Sequence, residues 1–195
     1  MVKKIVGTGV LLVLALALQA GVKMYTLKSP DGKVKLEVTA GQGIAYSLFY
    51  DGRLLLKPSR IALHTDLPEA DHWENIRITG TKQRHVSETV QAPFYRVKEF
   101  GIDCNELELR LNNGFSLLMR AYNDGMAYRF VAGRKGEMTV VEERAEFNFA
   151  DDFEAYIPYS TNPKDPWNMA FQNFYTKAPL TQYNTELPAF LPLTV

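Results

Sequence analysis

The chain has 195 residues, with 22 basic and 22 acidic side chains and a formal net charge of zero. This balance excludes nucleic acid as an electrostatically driven partner, because phosphate binding needs clustered positive charge. Hydrophobic residues make up 46% and aromatic residues 12% of the chain, a globular composition that supports one sizeable core. The single cysteine, Cys104, excludes an intramolecular disulfide. With no nearby histidine to act as its base, we expect it to be a small buried hydrophobe rather than a nucleophile.

Residues 1–20 predict a secretory signal peptide. The positive start MVKK is followed by the uncharged run IVGTGVLLVLALAL, and Ala20 precedes the expected cleavage point. An uncleaved anchor or a buried helix is the alternative, although the run is short for a membrane span. We therefore expect one exported domain over residues 21–195, in the periplasm or at the surface of a bacterium, with no membrane association after cleavage.

The next segments alternate apolar and polar residues, which predicts strands. Val34, Leu36 and Val38 recur every second residue after the Asp31-Gly32 turn, and IAYSLFY turns through a second Asp-Gly pair into RLLLK. NELELRL has helical propensity, yet its leucines also repeat with period two. Since strand side chains point alternately to opposite faces, this pattern buries a single face only as a strand.

A three-stranded antiparallel meander is predicted from NELELRL through FSLLMRAY to MAYRF. Asn113-Gly114 makes the first turn, and the second lies in YNDG, whose residues tolerate positive φ. Arg120 and Arg129 fall opposite the apolar stripe, where ion pairs with nearby acids are expected. Further strands are expected in MTVVEERAEFNF and EAYIPY. Many short strands separated by turns predict an all-β, antiparallel β-sandwich or barrel.

After Tyr159 the chain becomes rich in proline and aromatic residues, which predicts loop or edge-strand structure. Flat rings and amide groups match the apolar faces and hydroxyl rims of sugars. The candidate ligand-binding residues are Trp167, Asn168, Gln172 and Tyr175. The alternative is that these rings only close the end of the sandwich, as aromatic side chains most often serve packing.

Other chemical patterns in the sequence are weak. The candidates for a general acid–base pair are the adjacent carboxylates Glu142/Glu143, the group Asp151, Asp152 and Glu154, and the turn residue Asp124. Neighbouring residues of a strand point to opposite faces, so solvated edges and turns are the better interpretation. His64, His72 and His85 are too scattered for a recognisable metal motif.

Several segments, in order, resemble the N-terminal domain of glycoside hydrolase family 97, whose members are exported bacterial α-glucosidases and α-galactosidases. They are SPDGKVKLEV, YSLFYDGRLLLKPSRIAL, NELELRL and FSLLMRAYNDGMAYRF, and the block from Arg120 to Phe130 is the most specific. The resemblance implies a β-super-sandwich of galactose-mutarotase type, incomplete here at its C-terminus, followed in the family by a (β/α)₈ barrel. The barrel carries the catalytic carboxylates, so the resemblance assigns no catalytic residue to this chain and implies no activity for it alone.

The same resemblance implies a calcium ion shared with the catalytic barrel. The family's glutamate ligand from this domain falls at Gln172, whose carbonyl oxygen lacks the charge that strengthens calcium binding, and Glu186 is the alternative ligand. The leading expectation is therefore a non-catalytic domain that packs on the barrel and helps shape a site for an α-linked oligosaccharide. A stand-alone carbohydrate-binding sandwich and an inert fragment are the competing hypotheses.

Overall fold

The computed structural model describes residues 23–160, 162, 164–165 and 173–195. Over these residues the chain forms strands and a single 3₁₀ turn, Leu180–Gln182, and no helix in them is long and apolar enough to cross a membrane. The strands are β1 (Lys23–Lys28), β2 (Val34–Gly41), β3 (Gly43–Tyr50), β4 (Arg53–Thr65), β5 (Ile78–Gln91), β6 (Glu99–Leu111), β7 (Phe115–Tyr122), β8 (Gly125–Ala132), β9 (Val140–Ala145), β10 (Glu154–Ile157) and β11 (Thr176–Pro179).

The strands form two main antiparallel sheets and a small third one. The first sheet has the order β1-β2-β3-β4-β9, the second has the order β5-β6-β7-β8, and β10 pairs with β11. Most neighbours in a sheet are also neighbours in sequence, as expected when short turns join antiparallel strands. The predicted meander is confirmed as β6-β7-β8, with β5 added at its edge.

The core lies between the two larger sheets, which confirms the expected sandwich. Leu36 and Val38 on β2 and Leu109, Leu117 and Met119 on the second sheet are fully buried in one continuous cluster. The period-two leucines of β6 face this core while the residues between them face away, so period outweighs helical propensity here. Burying one such side chain stabilises the fold by about 1.5–3 kcal/mol.

Trp73 closes one end of the sandwich. Its ring lies 5.2 Å from that of Phe130 and 6.1 Å from that of Phe115, and its Nε1 donates to the Leu63 carbonyl oxygen at 3.1 Å. The indole therefore joins β4 to β7 and β8 with both its apolar surface and its single donor satisfied.

Two of the predicted hairpin turns differ in their backbone conformation. Asp51 and Gly52 between β3 and β4 both have positive φ, 48° and 80°, as a two-residue hairpin turn requires. The expectation of positive φ in the YNDG turn is wrong, because among the described residues neither Asn123, Asp124 nor Gly125 adopts it. Instead the Asn123 side chain accepts a hydrogen bond from the Asp31 backbone N–H at 3.0 Å, which ties two turns together.

The hairpin of β5 and β6 extends beyond the rest of its sheet. These strands pair from Ile78/Leu111 to Gln91/Glu99, whereas β7 pairs with β6 only from Asn105 to Arg110. Residues 86–104 therefore form a two-stranded ribbon that has no third strand beside it, and we call this ribbon the arm.

Candidate functional site

The predicted ligand-binding residues lie mainly outside the described part of the chain. Trp167, Asn168 and Gln172 fall in the range 166–172, so they lie outside the described residues. Tyr175 precedes β11 and is 48% exposed, and Glu186 is exposed in the segment that follows the 3₁₀ turn. The sugar-binding and metal-ligating roles of these residues stay predictions.

The segment that carries Tyr175 and Glu186 is held by hydrogen bonds to residues on either side of β10. The Asp152 carboxylate accepts hydrogen bonds from the backbone N–H and hydroxyl of Thr181 at 2.9 and 2.8 Å. The Tyr159 hydroxyl accepts from the Asn184 N–H at 2.7 Å, and the Tyr159 and Tyr183 rings lie 5.4 Å apart. The Asn184 side chain in turn accepts from the Glu186 N–H at 3.0 Å, which fixes the backbone but leaves the Glu186 carboxylate exposed.

Two of the other candidate carboxylates, Glu143 and Glu154, have polar partners within the chain. Glu142 and Glu143 pair across from His64 and Leu63 on β4, so they point to opposite faces as predicted. The Tyr128 hydroxyl donates to Glu143 at 3.3 Å, and burial together with this carboxylate raises the pKa of Tyr128. Glu154 forms an ion pair with Lys177 across the β10–β11 ladder at 2.9 Å.

The histidines do not assemble a metal centre. His64 Nδ1 lies 2.7 Å from Asp71, and His85 Nε2 lies 3.0 Å from Asp103. Within the described ranges no three His, Cys, Asp or Glu side chains come together in a way that could hold a metal ion.

The most organised polar group is one that sequence reasoning missed. Glu106 on β6 is only 5% exposed, and its two carboxylate oxygens accept from Arg84 Nε at 2.7 Å and Arg120 Nε at 2.8 Å. Burial works to raise the pKa of Glu106, but the hydrogen bonds from the two arginines outweigh it and the pKa is lowered. The ion pair expected for Arg120 is confirmed, and the partner is a buried acid on the adjacent strand.

This Arg84–Glu106–Arg120 cluster lies on the face of the second sheet that points away from the core. Arg120 Nη1 also reaches Glu88 at 3.9 Å, and Cys104 is fully buried beside Arg120 and Tyr122. Burial raises the pKa of the Cys104 thiol, which disfavours the reactive thiolate and confirms the interpretation of this residue as a small hydrophobe.

A groove of about 460 Å³ separates β1 from β5 at one side of the sandwich. Gln83 Nε2 donates to the Thr26 carbonyl oxygen at 3.0 Å and Asn105 Nδ2 donates to that of Lys28 at 2.8 Å. These side chains satisfy backbone acceptors at the edge of β1, which makes the edge less available to another strand.

Taken together, the two packed antiparallel sheets define the described part of the chain as a β-sandwich. The family model described as glycosyl-hydrolase 97 N-terminal matches residues 27–195. The chain therefore belongs to the glycoside hydrolase family 97 N-terminal domain family.

Two curated proteins are similar to the chain in sequence. The chain is 39% identical over 186 residues to a retaining alpha-galactosidase of Bacteroides thetaiotaomicron, which covers 92% of the chain and 28% of that enzyme. It is 26% identical over 158 residues to a probable retaining alpha-galactosidase of Streptomyces bingchenggensis, which covers 79% of the chain and 24% of the relative. The chain thus spans about a quarter of the length of these relatives.

Solved structures share the fold. A family 97 enzyme from Pseudoalteromonas sp. strain K8, in complex with panose, is similar with a TM-score of 0.65 at 18% identity. The match covers 81% of this chain and 25% of the enzyme's chain. A beta-arabinopyranosidase is similar with a TM-score of 0.67 at 22% identity, and the match covers 78% of this chain and 26% of the arabinopyranosidase chain. These likenesses confirm the architecture that the sequence predicted.

Proposed function

We propose that this chain is the non-catalytic N-terminal domain of an exported glycoside hydrolase acting on α-galactosides or α-glucosides. In this proposal the domain packs on a larger (β/α)₈ catalytic domain and helps to shape its sugar site. The single observation that carries the proposal compares the coverage of two matches. The family 97 N-terminal model matches nearly the whole chain, whereas the chain covers only 28% of a retaining alpha-galactosidase.

The chemistry of the described residues supports an accessory role. Glycoside hydrolysis needs two carboxyl groups facing a common bond. Here Glu143 binds a tyrosine hydroxyl, Glu154 binds a lysine and Glu106 lies between two arginines. Each of these carboxylates is held in a contact within the sandwich, so we assign catalysis to the accompanying domain.

The sugar contact is proposed for Trp167, Asn168, Gln172 and Tyr175. Tyr175 is half exposed directly before β11, and a tyrosine ring is of the kind that stacks against the apolar face of a sugar. We also propose export, because residues 1–20 have the charged start, apolar run and small residue of a signal peptide.

Calcium is proposed as an ion shared between domains. The exposed Glu186 carboxylate is a suitable oxygen ligand, and Gln172 offers a carbonyl oxygen. Calcium takes six to eight oxygen ligands, and the described residues bring no three His, Cys, Asp or Glu side chains together in a metal-binding group, so the catalytic domain would have to supply further ligands.

The test compares the chain with a whole enzyme. The purified chain is assayed on nitrophenyl α-galactoside and α-glucoside, and titrated by calorimetry with melibiose and maltose, beside the Bacteroides alpha-galactosidase as positive control. We expect no turnover by the chain alone and no strong sugar binding. Turnover by the pure chain would refute the accessory role, and micromolar binding of a sugar would favour the stand-alone carbohydrate-binding module.

A further inference from the structure

The arm has two chemically different faces. In antiparallel strands, directly paired residues share a face, so the pairs Val86/Cys104, Glu88/Ile102 and Val90/Phe100 lie on one side. The pairs Ser87/Asp103, Thr89/Gly101 and Gln91/Glu99 lie on the other side. We call the side with Val86, Val90, Phe100, Ile102 and Cys104 the outer face, since it continues the face of the second sheet that points away from the core.

The apolar positions of β6 change sides where the arm begins. Leu107, Leu109 and Leu111 face the core, while Phe100 and Ile102 fall on the opposite side of the same strand. A strand that buries only one face keeps its apolar residues at one parity, because a shift of one residue moves side chains to the other face. The change of parity therefore directs Ile102 and Phe100 away from the core, and beyond the buried Cys104 it leaves Phe100 exposed.

The outer face is apolar apart from Glu88, is buried at Val86 and Cys104 where it joins the sheet, and becomes exposed towards the tip of the arm. Val90 and Phe100 are 40% and 38% exposed, and Phe94 and Tyr95 at the tip are 102% and 70% exposed. Towards the sheet, the half-buried Leu118 and Tyr122 of β7 adjoin Cys104 and the Arg84–Glu106–Arg120 cluster. Exposed apolar patches of this kind commonly mark surfaces that contact another protein or domain.

We propose that the outer face of the arm is the surface on which the larger catalytic domain of a family 97 enzyme docks. This inference rests on the function proposed above and identifies the contact surface. The chain corresponds to 28% of a retaining alpha-galactosidase, so in that relative a much longer polypeptide accompanies this domain at high effective concentration. A second copy of the chain fits less well. A two-fold contact at the tip would bring Arg96 and Lys98 of one copy close to the same basic residues of the other copy.

The test measures binding of the chain to the part of the Bacteroides alpha-galactosidase that follows the segment matched here. This probe is first shown to be folded and monodisperse. Binding is then measured by sedimentation velocity and calorimetry for the unaltered chain, Phe100→Lys on the outer face and Thr89→Lys on the polar face of the same ribbon. Thermal unfolding of both variants checks that they fold, and Val90→Lys replaces Phe100→Lys if the latter does not.

We expect Phe100→Lys to weaken binding by roughly tenfold or more, and Thr89→Lys to change it less than twofold, since lysine is costly only where the surface becomes desolvated. If the unaltered chain binds and both variants bind equally well, the docking surface is elsewhere and only this inference fails. If the unaltered chain does not bind the folded probe, the proposed function fails with it. A self-associated chain that Phe100→Lys converts to monomer would assign the outer face to a second copy.

Discussion

Replacing Glu106 by glutamine tests whether the buried cluster stabilises the second sheet. The side chain of Glu106 is 5% exposed and those of Arg120 and Arg84 are 24% and 53% exposed, so the Arg120 contact is the better shielded one. A glutamine carbonyl still accepts one hydrogen bond, but its amide group then faces the other guanidinium, and no charge remains between the two arginines.

The magnitude follows from the contact that is lost. A hydrogen bond to a charged group contributes about 1.5–3 kcal/mol, and exposed ion pairs contribute little. Glu106→Gln should therefore lower the free energy of unfolding by about 2–3 kcal/mol, and Tm by about 2–4 °C per kcal/mol for a chain of this size. Glu108→Gln is the matched control on the same strand and face, where the partner Arg110 is exposed and the distance is 3.4 Å.

The pH dependence gives the prediction a second readout. Because the folded-state pKa of Glu106 is lowered from 4.5, its stabilisation is complete above that value and is lost as pH falls through the folded-state pKa. The difference in stability between the parent and Glu106→Gln should stay constant near neutral pH and narrow below about pH 4.5. Urea unfolding followed by circular dichroism measures it. A Glu106→Gln effect as small as that of Glu108→Gln would refute the assignment of a stabilising role to this cluster.

Three further predictions concern packing and reactivity. Leu117→Ala should lower the free energy of unfolding by about 2–5 kcal/mol in urea titrations, because Leu117 is fully buried between the sheets, and a loss below about 1 kcal/mol would contradict that placement. Gly133→Ala should lower Tm more than Gly101→Ala, because a Cβ at Gly133 would lie 2.8 Å from the Gly114 carbonyl oxygen while one at Gly101 meets nothing within 4 Å; equal effects would count against this contact. Cys104 should react with a chromogenic disulfide reagent only after unfolding, and rapid labelling of the native chain would show that the thiol is accessible.

The strand pattern was predictable where one face alone is buried. The leucines of β6 and the alternating residues of β2 and β7 identify their strands and their core faces, because a packed sheet imposes period two. Strand β5 was not predicted, since among its described residues only Val86 is buried and its side chains carry almost no apolar alternation. Its strand structure depends on backbone pairing with β6, and this pairing cannot be predicted from the side-chain pattern of β5.

The polar sites were less predictable. Glu106 has the same sequence appearance as Glu108, yet the first is buried between two arginines and the second is half exposed. Arg84 lies far from Glu106 in sequence and reaches it only through the β5–β6 register. Of the predicted ligand residues, the structure describes only Tyr175 and Glu186, so the sugar and calcium predictions stand as proposals.

The sequence by itself determined the all-β class, the hairpins at the Asp-Gly and Asn-Gly turns, and the family, because alternation, these turns and the block from Arg120 to Phe130 are all local features. The tertiary structure alone decided which sheet each strand joins, which acid is buried and which side of the arm is apolar. These three features depend on pairing between residues that are distant in the chain. Such pairing determines the neighbours of each charged or aromatic side chain, and those neighbours determine the free energy of burying it.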